Sequence, residues 1–212
     1  MSSTVVLYDY WRSSASYRVR LALNIANISY KTIPIDLSVN EQKNPTHLSR
    51  NPQGYVPVLD IDGHRLTQSL AIIEYLEGTR SLDLLPREPE IRAKVRAMAY
   101  SIAIDIHPIC NLSVAKFAQG IAKKKETTKK WMNHFIPLGL AAFEELLGTF
   151  DQMPFSTGEK ISIVDICLVP QVYNALRWDK NYSLGKRTKN VYLACKALPA
   201  FVAAHPDVVK PK

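Results

Sequence analysis

The sequence predicts two consecutive folding units, a small α/β unit followed by an all-α unit. Up to about residue 80, short β-prone runs alternate with helical patterns, whereas residues 90–212 show helical periodicity almost exclusively. Residues 81–89 lie between these patterns and contain two prolines. Apart from leucines, this stretch has few large apolar residues. We therefore expect domains at 1–80 and 90–212, joined by a linker at 81–89.

The composition is typical of a globular protein. Hydrophobic residues make up 47% of the 212 residues, and charged residues make up 22%. No apolar run approaches the roughly 18 residues that a membrane-spanning helix needs, so we expect no membrane partner. The apolar stretch near the N-terminus is too short for the core of a signal peptide. We therefore expect a cytoplasmic protein.

The first unit begins with a strand and a helix. A β-prone run at 5–8 precedes a helix whose apolar residues, from Val19 to Ala26, recur at the spacing of one helix face. A second strand is predicted at 30–35, where apolar and polar residues alternate. Residues 36–51 are polar and irregular, and part of this stretch is expected to be helical.

A hairpin and a helix complete the first unit. Asp62 and Gly63 lie between apolar flanks, a pattern typical of a two-residue β-hairpin turn. The next helix is predicted at 69–77, with Ser69 as its N-cap and Gly78 as its stop. This order of elements favours a small sheet with helices packed on it.

Helical periodicity predicts four helices in the second unit. They are expected at 90–106, 131–150, 163–178 and 191–204, and Pro108 ends or kinks the first of them. The expected apolar face of the second helix carries Phe135, Leu138, Ala142, Leu146 and Phe150. The tail from residue 204 onward contains two prolines and is expected to be loosely ordered.

The start of the helix at 163 carries a capping box with a hydrophobic staple. Ser162 is the expected N-cap and Asp165 the third helical residue, while Ile161 and Ile166 are the apolar pair that flanks them. The motif starts a buried helix and indicates no catalytic role. Replacing Asp165 with alanine is expected to cost about 1 kcal/mol or more through the lost cap.

The net charge of +8 permits nucleic acid, an acidic surface or small anions as partners. The densest basic clusters are Lys123–Lys125, Lys129–Lys130 and Lys186–Lys189. None of them is interleaved with aromatic residues as in a groove that binds single strands, so we favour a solvated helix face or loop and expect no nucleic-acid partner. The net charge is also explained by a basic cleft that speeds the capture of small anions, without a nucleic-acid partner.

The cysteines and histidines indicate neither a disulfide framework nor a metal site. Cys110, Cys167 and Cys195 show no paired spacing, and the five histidines are isolated from one another. The cysteines are expected to pack as small hydrophobic residues. No Ser–His–Asp or Cys–His set and no glycine-rich phosphate loop is evident.

One turn is a candidate for chemistry. Ser13 and Ser14 lie where the first strand has ended and the first helix begins. Hydroxyl groups cap a helix start, and the free N–H groups and partial positive charge there attract an anion. The alternative is a plain N-cap. Two other features accompany the turn, namely Val56-Pro57 and Gln68-Ser69 at the next helix start.

Together these motifs resemble the zeta class of the cytosolic glutathione transferases. Residues 13–20 (SSASYRVR) are similar to the Ser-Ser-Cys-x-x-Arg-Val-Arg turn of that class. Residues 68–76 (QSLAIIEYL), 106–113 (IHPICNLS) and 168–172 (LVPQV) are similar as well, and the resemblance spans nearly the whole chain. It implies the glutathione transferase fold, with a thioredoxin-like α/β N-terminal domain, an all-α C-terminal domain that completes the substrate site, and a homodimer.

The resemblance implies that several residues of the first domain bind glutathione. Ser13 would donate a hydrogen bond to the glutathione sulfur, with Ser14 beside it. The main chain of Val56, held by a cis bond to Pro57, would pair with the cysteinyl part. Gln68 and Ser69 would hold the γ-glutamyl group. Gln42 would contact the glycyl end.

The helical domain is implied to contribute the rest of the site. His107, Asn111, Leu112 and Ser113 would line it. Arg177 would meet a substrate carboxylate, and Arg12 is a second candidate cation for the substrate. Ser13, Ser14 and Arg177 are the residues to which the resemblance gives catalytic roles.

The implied activity is a glutathione-dependent cis–trans isomerisation. The thiolate would add to the double bond of 4-maleylacetoacetate, the resulting single bond would rotate, and elimination would yield 4-fumarylacetoacetate, a step of tyrosine and phenylalanine catabolism. Glutathione transferase side activity would accompany it. The alternatives are maleylpyruvate as the substrate, and a non-catalytic binding module with the same fold.

Two positions depart from the pattern of the class. Ala15 stands where family members often carry a cysteine, so we assign the nucleophile to bound glutathione. This change bears on side activities such as dehalogenation of halo acids more than on isomerisation. His107 stands in place of a glutamine and could donate to the same ligand, with a pH dependence near its pKa of about 6.5.

Overall fold

The computed structural model describes residues 4–150 and 153–211. Packing divides the chain into two compact units. The first holds the residues up to Leu82 together with those from Leu198 onward, and the second holds Asp83–Ala197. This division differs from the expected domains because the last segment of the chain packs with the first unit.

A four-stranded mixed sheet organises the first unit. Its strands are β1 (Val6–Asp9), β2 (Lys31–Pro34), β3 (Val58–Ile61) and β4 (His64–Thr67). The strand order is β2-β1-β3-β4, in which β1 and β2 are parallel and the other two pairs are antiparallel. The predicted α/β class of the first unit is thereby confirmed.

The predicted hairpin connects β3 to β4. Its central residues, Asp62 and Gly63, have φ angles of 52° and 79°. A two-residue turn that matches the twist of the strands needs positive φ at both positions, which glycine adopts freely and aspartate tolerates. The Asp62 carboxylate also accepts hydrogen bonds from Tyr75 and Arg80 of the following helix, which tie the turn to it.

The helices of the described residues are divided between the two units. The first unit contains α1 (Ser14–Ile25), α2 (Pro45–Leu48) and α3 (Ser69–Arg80). The second contains α4 (Pro89–Tyr100), α5 (His107–Ile109), α6 (Leu112–Ala122), α7 (Thr127–Leu147), α8 (Ile163–Trp178) and α9 (Lys186–Lys196). The chain then returns to the first unit with α10 (Pro199–Ala204) and α11 (Pro206–Val209). Among these residues, none of the helices combines the length and the hydrophobicity needed to traverse a bilayer.

The C-terminal segment packs on α1. Arg20 Nε donates to the carbonyl of Ala204 at 3.1 Å, and the Asn24 side chain donates to the carbonyl of Ala200 at 3.1 Å. The prediction of one helix at 191–204 is wrong, because Pro199 lacks the N–H that a continuing helix needs and begins a new one. The expectation of a loose tail is also wrong, since α11 follows and its Pro206 is buried.

A buried ion pair links α1 to the end of β1. Arg20 Nη1 lies 2.8 Å from both carboxylate oxygens of Asp9, and Arg20 Nη2 donates to the carbonyl of Trp11 at 3.0 Å. Arg20 is fully buried and Asp9 is 3% exposed. Each nitrogen of this guanidinium therefore donates to a protein acceptor, as a buried charge requires.

Pro108 changes the type of helix rather than ending it. Residues Ser101–Ile106 are π-helical and join α4 to α5, and the N–H of His107 donates to the carbonyl of Ile102. A proline donates no hydrogen bond to the preceding turn, and a wider turn accommodates that loss. The predicted helix at 90–106 is therefore continued as far as Ile109.

The apolar face predicted for the helix at 131–150 is wrong. The buried residues of α7 are Met132, Ile136, Leu140, Phe143 and Leu147. Leu138, which was expected on the buried face, is 63% exposed. Apolar residues lie on several sides of this helix, so periodicity alone selects no single face. The helix α6, for which no helix was predicted, packs against α7.

The predicted capping box begins α8. The N–H of Ser162 donates to Asp165 Oδ2 at 2.8 Å, and Ser162 Oγ accepts from the N–H of Val164 at 3.3 Å. Asp165 is fully buried, and its Oδ1 accepts from the N–H of Ser156 at 2.9 Å. Burial raises the pKa of Asp165, while these hydrogen bonds act in the opposite direction.

The added bond to Ser156 makes Asp165 more than a helix cap. Asp165→Ala is therefore expected to lower the free energy of unfolding by about 2–3 kcal/mol, because buried N–H groups of two loops lose their acceptor. Urea unfolding followed by circular dichroism measures this loss. Asp165→Asn retains one acceptor oxygen and is expected to lose less than the alanine variant. Equal losses in the two variants would contradict the account.

Candidate active site

The sheet topology brings three predicted segments of the first unit to one edge. β1 and β3 pair Tyr8 with Val58, and β3 and β4 pair Val58 with Thr67. The turn after β1, the segment before β3 and the segment after β4 therefore lie at the same edge of the sheet. These are the segments that hold Ser13-Ser14, Val56-Pro57 and Gln68-Ser69.

Ser13 is the N-cap of α1, as predicted. Its Oγ accepts a hydrogen bond from the N–H of Ser16 at 3.2 Å, and its own O–H donates to no described residue. The main-chain N–H groups of Ser14 and Ala15 likewise have no partner within residues 4–150 and 153–211. One hydroxyl and two N–H groups at a helix N-terminus are thus available to an anion.

The segment before β3 presents its main chain. The Val56–Pro57 bond is cis, and neither the N–H nor the C=O of Val56 has a hydrogen-bond partner in the described part of the chain. The preceding carbonyl, that of Tyr55, accepts from His47 Nε2 at 2.9 Å and from Asn51 Nδ2 at 3.1 Å. These two side chains fix the Tyr55 carbonyl, so the adjacent peptide groups of Val56 are held in place without a partner of their own within the described residues.

Gln42 packs beside this segment. It lies in a short 3₁₀ turn at Glu41–Lys43, and its Oε1 is buried without a partner among the described residues. Gly54 has a φ of 65°, and a Cβ there would lie 2.9 Å from the Gln42 carbonyl oxygen. The main chain of Gln42 therefore lies close to Gly54, which directly precedes the Tyr55–Pro57 segment.

Gln68 has strained backbone geometry, with a φ of 66° and a ψ of 111°. Residues other than glycine rarely adopt such angles, and they cluster where a ligand is held. The Gln68 side chain is exposed, and its Nε2 donates to Gln53 Oε1 at 2.8 Å.

The expectation that Ser69 caps α3 is wrong. Gln68 is the N-cap residue, and Ser69 is the first helical residue, whose Oγ accepts from Arg18 Nη1 at 3.2 Å. The prediction that Gly78 ends the helix is wrong as well, since α3 continues to Arg80 and ends where Ser81 adopts a φ of 50°. The main-chain N–H of Ser69 still points out of the helix start, where an anionic group is favoured.

Arg12 lies next to the Ser13 turn and is exposed. Its guanidinium carbon lies 4.2 Å from the centroid of the Trp11 ring. The stacking restricts the position of this exposed cation.

The second unit holds the remaining candidates. Asn111 caps α6 by accepting from the N–H of Ser113 at 3.1 Å and from its hydroxyl at 3.0 Å. His107 is half-buried at the start of α5, and Leu112 is 39% exposed. Arg177, near the end of α8, donates to Asn174 Oδ1 at 3.0 Å and stacks 4.7 Å from the ring centroid of Trp178.

Leu112 and Trp178 line one open cavity of about 620 Å³. The structure therefore brings the beginning of α6 and the end of α8 together, two segments in which site residues were predicted.

The cysteines of the chain are poor nucleophiles. Cys110, Cys167 and Cys195 are free thiols and are all buried, as expected. Burial raises the pKa of Cys110 to about 11, so this thiol is protonated at neutral pH. Burial also raises the pKa of Cys195. A thiolate nucleophile is therefore better supplied by a ligand.

Several supporting residues were missed by the sequence analysis. His47 and Asn51 hold the Tyr55 carbonyl, Gln53 contacts Gln68, and Arg18 contacts Ser69. The run Asn51-Pro52-Gln53-Gly54 carries turn residues directly before the Tyr55–Pro57 segment, and this was the available signal for Asn51 and Gln53. No local pattern indicates that Arg18 contacts Ser69, because the two residues are 51 positions apart in sequence.

Comparison with known proteins places this geometry in a family. The glutathione S-transferase N-terminal domain model matches residues 3–78, and the C-terminal domain model matches residues 109–210. The maleylacetoacetate isomerase of Rhizobium meliloti (strain 1021) is 51% identical over 213 residues, which cover 100% of both proteins.

Two solved structures are similar throughout. One is the holo structure of maleyl pyruvate isomerase, a bacterial glutathione S-transferase of the zeta class, with a TM-score of 0.91, 33% identity and coverage of 98% of this chain and 99% of that one. The other is maleylacetoacetate isomerase from Anaeromyxobacter dehalogenans 2CP-1 with bound GSH, with a TM-score of 0.87, 38% identity and 99% of each chain covered. The chain therefore belongs to the glutathione S-transferase family, and its predicted likeness to the zeta class is confirmed.

Proposed function

We propose that this protein is a glutathione-dependent cis–trans isomerase that converts 4-maleylacetoacetate to 4-fumarylacetoacetate. The observation that carries the proposal is the start of α1, where the Ser13 hydroxyl and the N–H groups of Ser14 and Ala15 have no acceptor among the described residues. The similarity to the maleylacetoacetate isomerase of Rhizobium meliloti supports the choice of substrate.

The residues at the sheet edge fit glutathione, which the family uses. The free N–H and C=O of Val56 suit the peptide groups of its cysteinyl part. The helix start at Gln68-Ser69 suits the carboxylate of the γ-glutamyl group. The buried Oε1 of Gln42 is an unused acceptor for an N–H near the glycyl end. Bound glutathione supplies a thiol, whose thiolate is the nucleophile of the isomerisation.

The protein's own contribution is to stabilise negative charge on that sulfur. A free thiol has a pKa near about 8.5 and is mostly protonated at neutral pH. The Ser13 hydroxyl can donate to the anion, and the free N–H groups of α1 add their partial positive charge. For each unit by which these groups lower the pKa of the thiol, they stabilise the thiolate relative to the thiol by about 1.4 kcal/mol.

Arg177 is proposed to hold a carboxylate of the substrate. At the exposed end of α8 its guanidinium stacks on Trp178 and donates to Asn174, contacts that orient its planar group. A bidentate contact would fix one end of the substrate while the other rotates about the former double bond. Arg12 is proposed as a second cation for the substrate, and His107, Asn111, Leu112 and Ser113 as further lining residues.

Maleylpyruvate is the second candidate substrate. The similarity to the holo structure of maleyl pyruvate isomerase, with a TM-score of 0.91, supports maleylpyruvate as a candidate substrate. The two substrates share the cis double bond and the carboxylates and differ in the group beyond the enone. We further propose that the protein works as a homodimer in the cytoplasm, in tyrosine and phenylalanine catabolism, and that transferase side activity accompanies isomerisation.

The activity is tested with both substrates, each in the presence and absence of glutathione. We expect turnover of 4-maleylacetoacetate that requires glutathione and leaves its concentration unchanged, because the thiol is regenerated in each cycle. Comparison of kcat/KM for the two substrates selects between the isomerases. Equal turnover without glutathione would overturn the proposal, and binding of glutathione without turnover of either substrate would favour the non-catalytic binding module.

A further inference from the structure

The cavity of the second unit is lined by lysines. We call it the basic cavity and define it by its lining residues, which are Leu112, Lys116, Gln119, Gly120, Lys123, Lys124, Lys125, Thr128 and Trp178. Its volume of about 620 Å³ lies within the range of small-molecule sites. The lysine run at 123–125 is exposed, as the favoured interpretation of a solvated surface predicts, and it also lines this open cavity.

The walls of the basic cavity are built by contacts between helices. The Thr128 hydroxyl of α7 donates to Gln119 Oε1 of α6 at 2.5 Å. The chain turns between these helices at Lys123, which adopts a φ of 52° and ends α6. This turn holds Lys124 and Lys125 between α6 and α7.

The charge of the basic cavity is uncompensated. None of its lining residues is acidic, and none of its four lysines takes part in a salt bridge within the described ranges. The acidic neighbour Glu126 pairs instead with Lys130, at 3.6 Å. Several ammonium groups that share a concave surface without counter-charges create a positive potential that attracts small anions.

Trp178 adds a second, independent feature. Its indole N–H is buried and has no hydrogen-bond partner in the part of the chain that the structure describes. The indole ring itself lines the basic cavity and gives its lysine-rich wall an aromatic surface. Arg177, which is proposed to hold a substrate carboxylate, stacks on the same indole ring.

We propose that the basic cavity binds a carboxylate of the dicarboxylate substrate, so that Lys116 and the lysine run at 123–125 select for dianions. This inference rests on the proposed function and adds charged residues to the same substrate site. Leu112 and Trp178, which line the cavity, are neighbours in sequence of Ser113 and Arg177, for which substrate contacts are already proposed. Lysines that act through net charge also make capture of the substrate sensitive to ionic strength.

The first test uses maleate, a cis dicarboxylate, as a binding probe that requires no turnover. Maleate is expected to change the indole fluorescence of the protein saturably, and Trp178→Phe should abolish that change. The triple variant K123Q/K124Q/K125Q should weaken maleate binding about tenfold, because three positive charges are lost. The matched control K186Q/K189Q/K196Q removes three charges from α9, outside the cavity, and should bind maleate as the parent protein does.

The second test is kinetic. The cavity variant is expected to raise KM for 4-maleylacetoacetate about tenfold with kcat and the Kd of glutathione unchanged, since its lysines act on capture of the substrate. Unchanged KM and unchanged maleate affinity in the cavity variant would overturn the inference, whatever the activity. Lysine-dependent maleate binding in a protein that isomerises neither substrate would instead overturn the proposed function and leave an anion site at this cavity.

Discussion

Ser13→Ala is expected to lower the turnover of 4-maleylacetoacetate by about tenfold while changing the affinity for glutathione little. The hydroxyl donates to no described residue, so its removal leaves the fold of the turn intact apart from the cap to Ser16. A hydrogen bond to an anion contributes about 2 kcal/mol, which equals roughly 1.5 pKa units of the bound thiol. At neutral pH most of the bound thiol would then be protonated.

The measurement is a pH titration of the thiolate absorbance of glutathione bound to each variant. The pKa of the bound thiol should lie well below about 8.5 in the parent protein and should rise in Ser13→Ala. Ser13→Thr keeps a hydroxyl and is expected to retain most of the effect. Ser16→Ala removes a buried hydroxyl from the same turn and serves as the matched control. A parent protein whose bound thiol titrates as free glutathione does would exclude this mechanism.

Arg20→Met is expected to lower the free energy of unfolding by about 3–5 kcal/mol, because it leaves the Asp9 carboxylate buried without its partner. The change also removes the donors to the carbonyls of Trp11 and Ala204, which connect the Ser13 turn and α10 to α1. Urea unfolding gives the loss. Asp9→Leu should be similarly costly, since it leaves the guanidinium buried and unpaired.

The chain provides a control for this second prediction. Arg65 and Asp60 form a bidentate pair with bonds of 2.7 and 2.8 Å, but the Arg65 side chain is 45% exposed. Arg65→Met is expected to cost at most about 1 kcal/mol, because solvent replaces the lost bonds. The double variant D9L/R20M should recover much of the loss, since neither charge then remains buried alone. Equal losses for Arg20→Met and Arg65→Met would contradict the assignment.

Local patterns predicted local structure well. The Asp62-Gly63 turn, the Ser13 cap and the Ser162–Asp165 capping box depend on a few neighbouring residues, and all are present. The bounds predicted for α8, 163–178, also agree with the structure, because the cap marks its start. The roles of Val56 and Gln68 followed from the family resemblance rather than from any local pattern.

The predictions that failed concern the ends and faces of helices. Gly78 does not end α3, Ser69 is not its cap, and α7 buries a different face from the one expected. A glycine inside a helix, such as Gly78, destabilises the helix by only about 1 kcal/mol relative to alanine. Packing of α3 on the sheet readily offsets this amount. An isolated pattern contains no information about which neighbour will cover a helix.

The sequence by itself determined the two-part architecture, the Asp62-Gly63 turn, the caps at Ser13 and Ser162, and the family, because each depends on short runs of residues. Tertiary structure alone decided that Asp9 and Arg20 form a buried pair, that the segment from Leu198 onward packs on α1, and that lysines 123–125 face a cavity. These outcomes depend on contacts between residues far apart in the chain. Their free energy comes from burial and from pairing of charges, which no local spacing encodes.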